Sequence, residues 1–231
     1  MKRIGILGGM GPVASAYLYT LLLKKAHYKY DAKYDTDFPQ IVINSISLSD
    51  FDQKGYINKK TIIKELYLGL RLLERSKVDF IAIDCNTVHI FYSIFREKLN
   101  TPILNIIDLT KKEIVERSCK KVGVLGSSTT KSFALLTSKL DIANIGYLET
   151  TPKEQVDLDS IIYDVMSQSI TNDTYKKMIR ILERMTNSGA ESVVLGCTEL
   201  SLLYDKLFGM FPLMDSSEIL AEEILKLAYN D

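Results

Sequence analysis

Short runs of apolar residues alternate along the chain with longer amphipathic stretches. The first apolar run covers residues 3–7 and leads into the motif Gly-Gly-Met-Gly-Pro at 8–12. Apolar residues then recur at helical spacing over 13–25, and Pro12 suits a first helical turn, where its missing N–H costs no hydrogen bond. The pattern predicts a strand, a glycine loop and a helix, in that order.

Further apolar runs predict more buried strands, and an amphipathic stretch at 59–74 predicts a helix between two of them. These runs lie at 40–46, 79–83 and 102–107. Strands that alternate with helices form parallel sheets covered on both faces. We therefore expect an α/β fold.

The motifs of the first half recur in the second half in the same order. Lys-Val-Gly-Val-Leu-Gly at 121–126 matches Arg-Ile-Gly-Ile-Leu-Gly at 3–8, an offset of 118 residues. Two more pairs follow at offsets of 112 and 110, namely 79–87 with 191–199 and 101–105 with 211–215. Ordered matches near one period predict two similar parallel-sheet α/β domains. A pseudo-twofold axis between them would place an active site in the cleft.

Two cysteines occupy equivalent places in this repeat. Cys85 and Cys197 each follow a predicted strand, and ligands of open parallel sheets bind beyond the carboxyl ends of the strands. One thiolate and one thiol on opposite faces of an α-carbon can remove a proton and return one, which inverts the stereocentre. Either cysteine alone would more simply be a buried apolar residue. The matched pair instead predicts an amino-acid racemase.

Composition and charge restrict the other possibilities. Cys119 has no counterpart in the repeat and is interpreted as structural; three widely spaced cysteines and two histidines predict neither a disulfide framework nor a metal site. Because 29 basic residues balance 29 acidic ones, nucleic acid and anionic membranes are not expected partners. The sequence lacks an apolar run of roughly 18 residues and a signal-peptide core, so we expect a cytoplasmic protein.

These motifs resemble those of the aspartate/glutamate racemases that work without pyridoxal phosphate. The resemblance rests on the glycine motif at 5–12, Cys-Asn-Thr-Val-His at 85–89, the threonine pair at 129–130, Gly-Cys-Thr-Glu at 196–199 and Asp-Ser-Ser-Glu at 215–218. It implies two α/β domains, one over 1–100 plus 210–231 and one over 101–209, with a catalytic cysteine in each. It also implies that no cofactor is used, that the chain forms a homodimer, and that the third matched strand crosses between domains.

The resemblance further implies which residues surround the substrate. Cys85 and Cys197 are the implied catalytic residues. The α-carboxylate and amine are expected near hydroxyl, amide and backbone donors, and the implied binding set is Met10, Asn86, Thr87, Thr130, Thr198 and Glu199. His89, one helical turn after Cys85, could bond to the substrate or tune the thiol. Asp84 and Glu199 could orient thiols or ammonium groups, or serve as capping carboxylates.

The residues expected to bind a side-chain carboxylate depart from the family pattern. Phe51 takes the place of an arginine, and Ser167 lies nearest to the place of a lysine. A buried carboxylate needs a cationic partner, so an acidic substrate requires Lys131 or Lys54 to compensate. The sequence therefore predicts the chemistry and leaves the amino acid open.

Two alternatives belong to other functional classes. Residues 9–14 fit the dinucleotide pattern G-x-G-x-x-A, with Asp31 about 20 residues on, which would suit a nicotinamide-dependent oxidoreductase. However, Asp31 lies in a polar run and not at the end of a predicted strand. The other alternative is a non-enzymatic protein that binds a small amino acid, although simple binding has no use for two opposed thiols.

Overall fold

The computed structural model describes residues 1–49, 51–52, 55–56 and 58–229. Its strands are β1 (Ile4–Gly8), β2 (Ile41–Ser45), β3 (Phe51–Asp52), β4 (Gly55–Tyr56), β5 (Phe80–Ile83), β6 (Ile103–Leu104), β7 (Lys121–Leu125), β8 (Gly146–Leu148), β9 (Ser192–Leu195) and β10 (Leu213–Asp215). Its α-helices are α1 (Pro12–Tyr30), α2 (Lys59–Arg75), α3 (Tyr92–Lys98), α4 (Ile106–Glu116), α5 (Ser128–Ser132), α6 (Thr137–Ile142), α7 (Pro152–Met166), α8 (Asn172–Asn187), α9 (Tyr204–Leu207) and α10 (Ser216–Tyr229). Short 3-10 segments cover Asp35–Asp37, Thr87–Phe91 and Leu200–Leu203. None of the helices described is both long enough and apolar enough to span a bilayer.

The chain divides into two compact units. It passes from unit 1 to unit 2 after Ile106 and returns to unit 1 at Ser217. The domain limits expected at residues 100 and 209 thus fall a few positions before the points where the chain changes unit. Unit 1 therefore contains the first part of the chain together with nearly all of α10.

Unit 1 is built on a parallel sheet with the strand order β2-β1-β5-β6. The register aligns Ile4 of β1 with Ile41 of β2 on one side and with Phe80 of β5 on the other. Both β1 and β5 are buried along their whole length, as expected for the central strands of a sheet covered on both faces. The short apolar runs at the start of the chain and before Cys85 are therefore central strands.

Unit 2 repeats this architecture with the strand order β8-β7-β9-β10, again parallel. Counted from the first strand of each unit, the two orders are the same. The prediction of two similar parallel α/β units is thereby confirmed. The structure adds a fourth equivalence, between β2 and β8, which the motif comparison did not detect.

The resemblance wrongly implied that the third matched strand crosses between domains. Instead, β6 pairs with β5 in unit 1, and β10 pairs with β9 in unit 2. Hydrogen bonds hold each short strand in its own sheet. The N–H of Ile81 donates to the carbonyl of Pro102, and the N–H of Val193 donates to the carbonyl of Pro212, both at 2.8 Å. The chain changes unit after the strand, in α4 and at the start of α10.

Helix α10 is attached to the first helix of unit 1. The Lys25 ammonium lies 2.5 Å from a Glu218 carboxylate oxygen and 3.0 Å from one of Glu222. The rings of Tyr30 and Tyr229 stack, with centroids 4.1 Å apart. The end of the chain is thus bonded to the helix that follows β1.

Unit 2 has a core in which α7 and α8 contribute most of the helical side chains. On α8, Met178, Ile181, Leu182 and Met185 are buried, which is the spacing of a single apolar helix face. Thr151 caps α7 by accepting from the backbone N–H of Glu154, whose side chain accepts in return from the Thr151 N–H. Cys119 is buried, and desolvation raises the pKa of its thiol, in keeping with a structural role.

We expect Glu154→Gln to reduce the free energy of unfolding by about 1–2 kcal/mol at neutral pH. Partial burial alone would raise the pKa of Glu154, but bonds from Arg184 and Thr151 outweigh it and lower the pKa below its ordinary 4.5. This stabilisation is present above the unfolded-state pKa and is lost as the pH falls through the lower folded-state pKa. Urea unfolding of both proteins at about pH 7 and about pH 3 measures the difference, which should shrink in acid. A difference that stays constant would contradict the assignment.

Candidate active site

In each unit, one central strand is followed in sequence by the strand at one edge of the sheet, and the other central strand by the strand at the opposite edge. In unit 1 this reversal lies between β1 and β5, and in unit 2 it lies between β7 and β9. Ligands of open α/β sheets bind in the crevice beyond the carboxyl ends of such strands. The segments that follow these strands contain every residue expected near the substrate: Met10 after β1, Asp84, Cys85, Asn86, Thr87 and His89 after β5, Thr130 after β7, and Cys197, Thr198 and Glu199 after β9.

The glycine loop after β1 brings the main chain close to the segment that follows β2. Gly9 has a φ of +96°, and a Cβ atom there would collide with the backbone of Ile46. The Gly9 N–H donates to Ser15 Oγ at 3.0 Å, and the Ile46 N–H donates to the Gly8 carbonyl at 3.0 Å. The glycines are therefore explained by a tight turn between two strand ends.

The position of Asp31 weakens the nicotinamide alternative. Asp31 lies just past the C-terminus of α1, where its exposed carboxylate pairs with Lys33 Nζ at 2.9 Å. An acid that binds the ribose of a dinucleotide belongs at the end of the second strand. In this protein β2 ends at Ser45, well beyond Asp31. The glycine motif thus lacks the acidic residue that a dinucleotide site has at the end of the second strand.

Cys85 follows β5 and packs against the apolar core of unit 1, with 5% of its surface exposed. The Asp84 N–H donates to the carbonyl of Leu7 at 3.0 Å, which extends the contact between β1 and β5 to the cysteine. Asp84 itself is fully buried. This anchoring fixes the main chain immediately before the thiol.

His89 connects the Cys85 main chain to the start of α4. Its Nδ1 lies 2.8 Å from the Cys85 carbonyl oxygen and therefore carries a hydrogen, and its Nε2 accepts from the Ile106 N–H at 3.4 Å. The imidazole stacks on Tyr92, whose hydroxyl donates to the Ile103 carbonyl at 3.1 Å. Both ring nitrogens of His89 thus have main-chain partners, and the ring holds the loop in position.

Cys197 occupies the equivalent place in unit 2, with 9% of its surface exposed. The Gly196 N–H donates to the Leu125 carbonyl at 2.7 Å, and a Cβ on Gly196 would lie 2.8 Å from that oxygen. The Cys197 thiol donates to Glu199 Oε2 at 3.0 Å, and the Thr198 hydroxyl lies 3.4 Å from the same oxygen. A cysteine, a threonine and a glutamate therefore form one buried cluster at the end of β9.

The loop after β7 is held by polar side chains of α7. Ser127 Oγ accepts from the Thr130 N–H at 3.2 Å and lies 3.1 Å from the Thr130 hydroxyl. Gln155 Nε2 donates to the Gly126 carbonyl at 3.0 Å, and Asp159 accepts from the Ser128 N–H at 3.0 Å. Neither Gln155 nor Asp159 was predicted as a site residue from the sequence. Their signal was two polar residues four apart on a helix face that is otherwise apolar.

Lys131 lies in α5, and its ammonium group binds Thr150 of the same unit. Its ammonium donates to the Thr150 carbonyl at 2.5 Å and to the Thr150 hydroxyl at 3.2 Å. A cavity of about 20 Å³ lies beside it, with Gly126, Thr130 and Gln155 among its lining residues. This volume suits about one water molecule.

The other residues weighed for a side-chain carboxylate are placed as follows. Ser167 lies exposed at the end of α7 and donates to the Tyr163 carbonyl at 2.7 Å. Phe51 belongs to β3, where the structure describes the main chain. Lys54 lies outside the described residues.

The fold and these segments define a two-unit α/β protein with a cysteine beyond the central strands of each sheet. The family model described as Asp/Glu/Hydantoin racemase matches residues 7–224, and the chain belongs to that family. It is 28% identical over 228 residues to the broad specificity amino-acid racemase RacX of Bacillus subtilis, covering 98% of this chain and 99% of that protein. The family and its named racemases make the protein an isomerase and support an amino-acid racemase function.

Two solved structures resemble the whole chain. An aspartate racemase homologue from Pyrococcus horikoshii superposes with a TM-score of 0.82 at 28% identity, covering 100% of both chains. The aspartate racemase of Picrophilus torridus superposes with a TM-score of 0.81 at 27% identity, covering 99% of this chain and 94% of that one. The α/β architecture is therefore that of the racemases.

We expect His89→Phe to lower the free energy of unfolding by about 1–3 kcal/mol, because it leaves the buried Cys85 carbonyl without the imidazole donor. His89→Gln should recover part of this loss, since an amide offers both a donor and an acceptor. Urea unfolding measures both variants. The matched control is His27→Phe, which removes a 3.0 Å contact to the Ala32 carbonyl at an exposed helix position and should cost less. Equal stability of His89→Phe and the parent protein would contradict this role.

Proposed function

We propose that the protein racemises amino acids without a cofactor, with Cys85 and Cys197 as acid and base on opposite faces of the substrate α-carbon. One observation carries the proposal: the two cysteines occupy equivalent positions, each two residues past the end of a central strand, beyond β5 and β9. Family membership supports the reaction class. The homodimer stays a prediction from the resemblance, and the cytoplasmic location stays a prediction from the sequence.

In the proposed reaction, the Cys85 thiolate removes the α-hydrogen as a proton, and the electron pair of the C–H bond stays on the substrate. The Cys197 thiol then delivers its proton to the opposite face of the carbon. The substrate leaves inverted, Cys85 is now a thiol and Cys197 a thiolate. The opposite enantiomer follows the same steps in reverse, so two groups of one kind suit both directions.

The loops around the cysteines offer donors for the substrate carboxylate. Asn86 and Thr87 follow Cys85 at the start of a 3-10 segment, and Thr130 lies in α5, the short helix after β7. Donors that face the carboxylate stabilise the negative charge that grows as the α-proton leaves. Met10, half-buried against the core of unit 1, would supply an apolar wall.

We propose that neutral amino acids are among the substrates. Lys131, the described lysine considered for a side-chain carboxylate, donates to Thr150. An acidic side chain without a cation would lose its hydration without compensation. The broad specificity stated for RacX of Bacillus subtilis supports a substrate range that is not confined to one kind of amino acid.

We expect Cys85→Ala and Cys197→Ala each to reduce racemisation by at least about a thousandfold, because each removes one of the two proton-transfer groups. Optical rotation and α-hydrogen exchange in deuterated water, followed by NMR, measure the loss. Cys119→Ala is the matched control and should keep the parent activity. Racemisation that persists in both active-site variants would refute the two-thiol mechanism. Binding of amino acids by the parent protein without exchange would favour the non-enzymatic alternative.

We expect a panel of single amino acids to include neutral substrates, with kcat/KM for aspartate no higher than for the best of them. Lys131→Met tests the lysine directly. If Lys131 binds Thr150 and not the substrate, the variant should change kcat/KM by a similar factor for neutral and acidic substrates. A selective loss of about tenfold or more for aspartate or glutamate would instead make Lys131 the side-chain partner.

A further inference from the structure

Cys197 and Glu199 are in direct contact at the end of β9. The thiol donates to Glu199 Oε2 across 3.0 Å, and 9% of the cysteine and 5% of the glutamate are exposed. The Thr198 hydroxyl faces the same oxygen at 3.4 Å. Both side chains therefore reach one oxygen of the same buried carboxyl group.

The chemistry of the two groups decides where their shared proton resides. A carboxyl group is a much stronger acid than a thiol, so the proton between them belongs to sulfur. Removal of that proton would place a second negative charge about 3 Å from the carboxylate, where burial leaves little water to screen the repulsion. The contact therefore favours the thiol form of Cys197 over the thiolate.

Unit 2 has a carboxyl group beside its cysteine, and unit 1 has a threonine at the equivalent position. Thr87 stands two residues after Cys85, where Glu199 stands two residues after Cys197. The two halves of the repeat thus differ by one carboxylate beside equivalent cysteines. A substrate-binding role shared by both halves would not require this difference.

We propose that Glu199 holds the proton on Cys197 in the substrate-free protein, so that Cys197 begins the reaction as the acid. This inference rests on the proposed function, in which the Cys85 thiolate removes the α-proton and Cys197 delivers one. After one turnover the proton is on Cys85 and Cys197 is a thiolate beside Glu199. A proton from water then returns to Cys197 while Cys85 releases one to water, which restores the starting form.

Glu199→Gln tests the charge with little change of shape, because the amide keeps an oxygen that can accept from the thiol. The experiment alkylates the substrate-free protein with iodoacetamide at about pH 7 and follows each cysteine by peptide mass spectrometry. Only the thiolate reacts, so we expect alkylation of Cys197 to accelerate about tenfold or more and that of Cys85 to stay within about twofold. Glu199→Asp keeps the charge and should stay nearer to the parent rate than Glu199→Gln.

Controls within the same chain separate this effect from a loss of structure. Glu154→Gln makes the same chemical change in the same unit, at a residue bonded to Arg184, and should leave the rate ratio of Cys197 to Cys85 unchanged. Cys119 reports a general loss of structure, because it is buried outside the cluster of Cys197 and Glu199 and its alkylation accelerates when the fold loosens. Acceleration at all three cysteines, or an unchanged rate at Cys197, would overturn the inference.

A second measurement does not depend on the folding of the Glu199 variants. In a Cys85→Ala, Cys119→Ala double variant, Cys197 is the remaining thiol. We expect its ultraviolet thiolate absorbance at about pH 7, relative to the alkylated protein, to be under about a tenth of that of a full thiolate. A larger thiolate fraction would overturn the inference. Neither experiment uses substrate, so racemisation lost or kept in the cysteine variants tests the proposed function separately.

Discussion

The close approach of the two central strands at their carboxyl ends is the constraint on which the rest of each unit depends. In unit 1 the Asp84 N–H reaches the Leu7 carbonyl, and in unit 2 the Gly196 N–H reaches the Leu125 carbonyl. These bonds continue the strand pairing by one residue and fix the peptide that precedes each cysteine. Since the repeat preserves the bond in both units, it places the two thiols at corresponding positions of two sheets.

Polar side chains also hydrogen-bond to the main chain of the segments that follow the central strands. His89 binds the Cys85 carbonyl in unit 1, while Gln155 and Asp159 bind the loop after β7 in unit 2. The partners differ in type but act on main-chain groups in both units. The loops that carry the two cysteines are thereby supported by strands and helices, which is the arrangement that the proposed proton transfer needs.

Much of the fold was predictable because its signals are local. The apolar run before the glycine motif, the helix after it and the recurrence of the apolar run at 121–126 predicted β1, α1 and β7 to within a few residues. The run at 102–107 was misread because Ile106 and Ile107 continue the apolar character of β6 into α4. Periodicity alone does not separate a buried strand from the first turn of a buried helix.

The candidate site was predictable where residues follow strand ends and unpredictable where contacts depend on backbone path. Cys85 and Cys197 were identified from their places in the repeat. The bond from Cys197 to Glu199 spans two positions in sequence, yet only the turn after β9 brings the thiol and the carboxylate together. Gln155 reaches Gly126 across 29 positions, a separation that no sequence motif in one chain encodes.

The return of α10 to unit 1 has a consequence for the order in which the protein is made. Lys25 of α1 pairs with Glu218 and Glu222, and Tyr30 stacks on Tyr229, so unit 1 lacks these contacts until α10 has been synthesised. Unit 2, by contrast, lies in one nearly continuous stretch of chain and can complete its sheet earlier. During translation, the second half to emerge is thus the first that is able to finish folding.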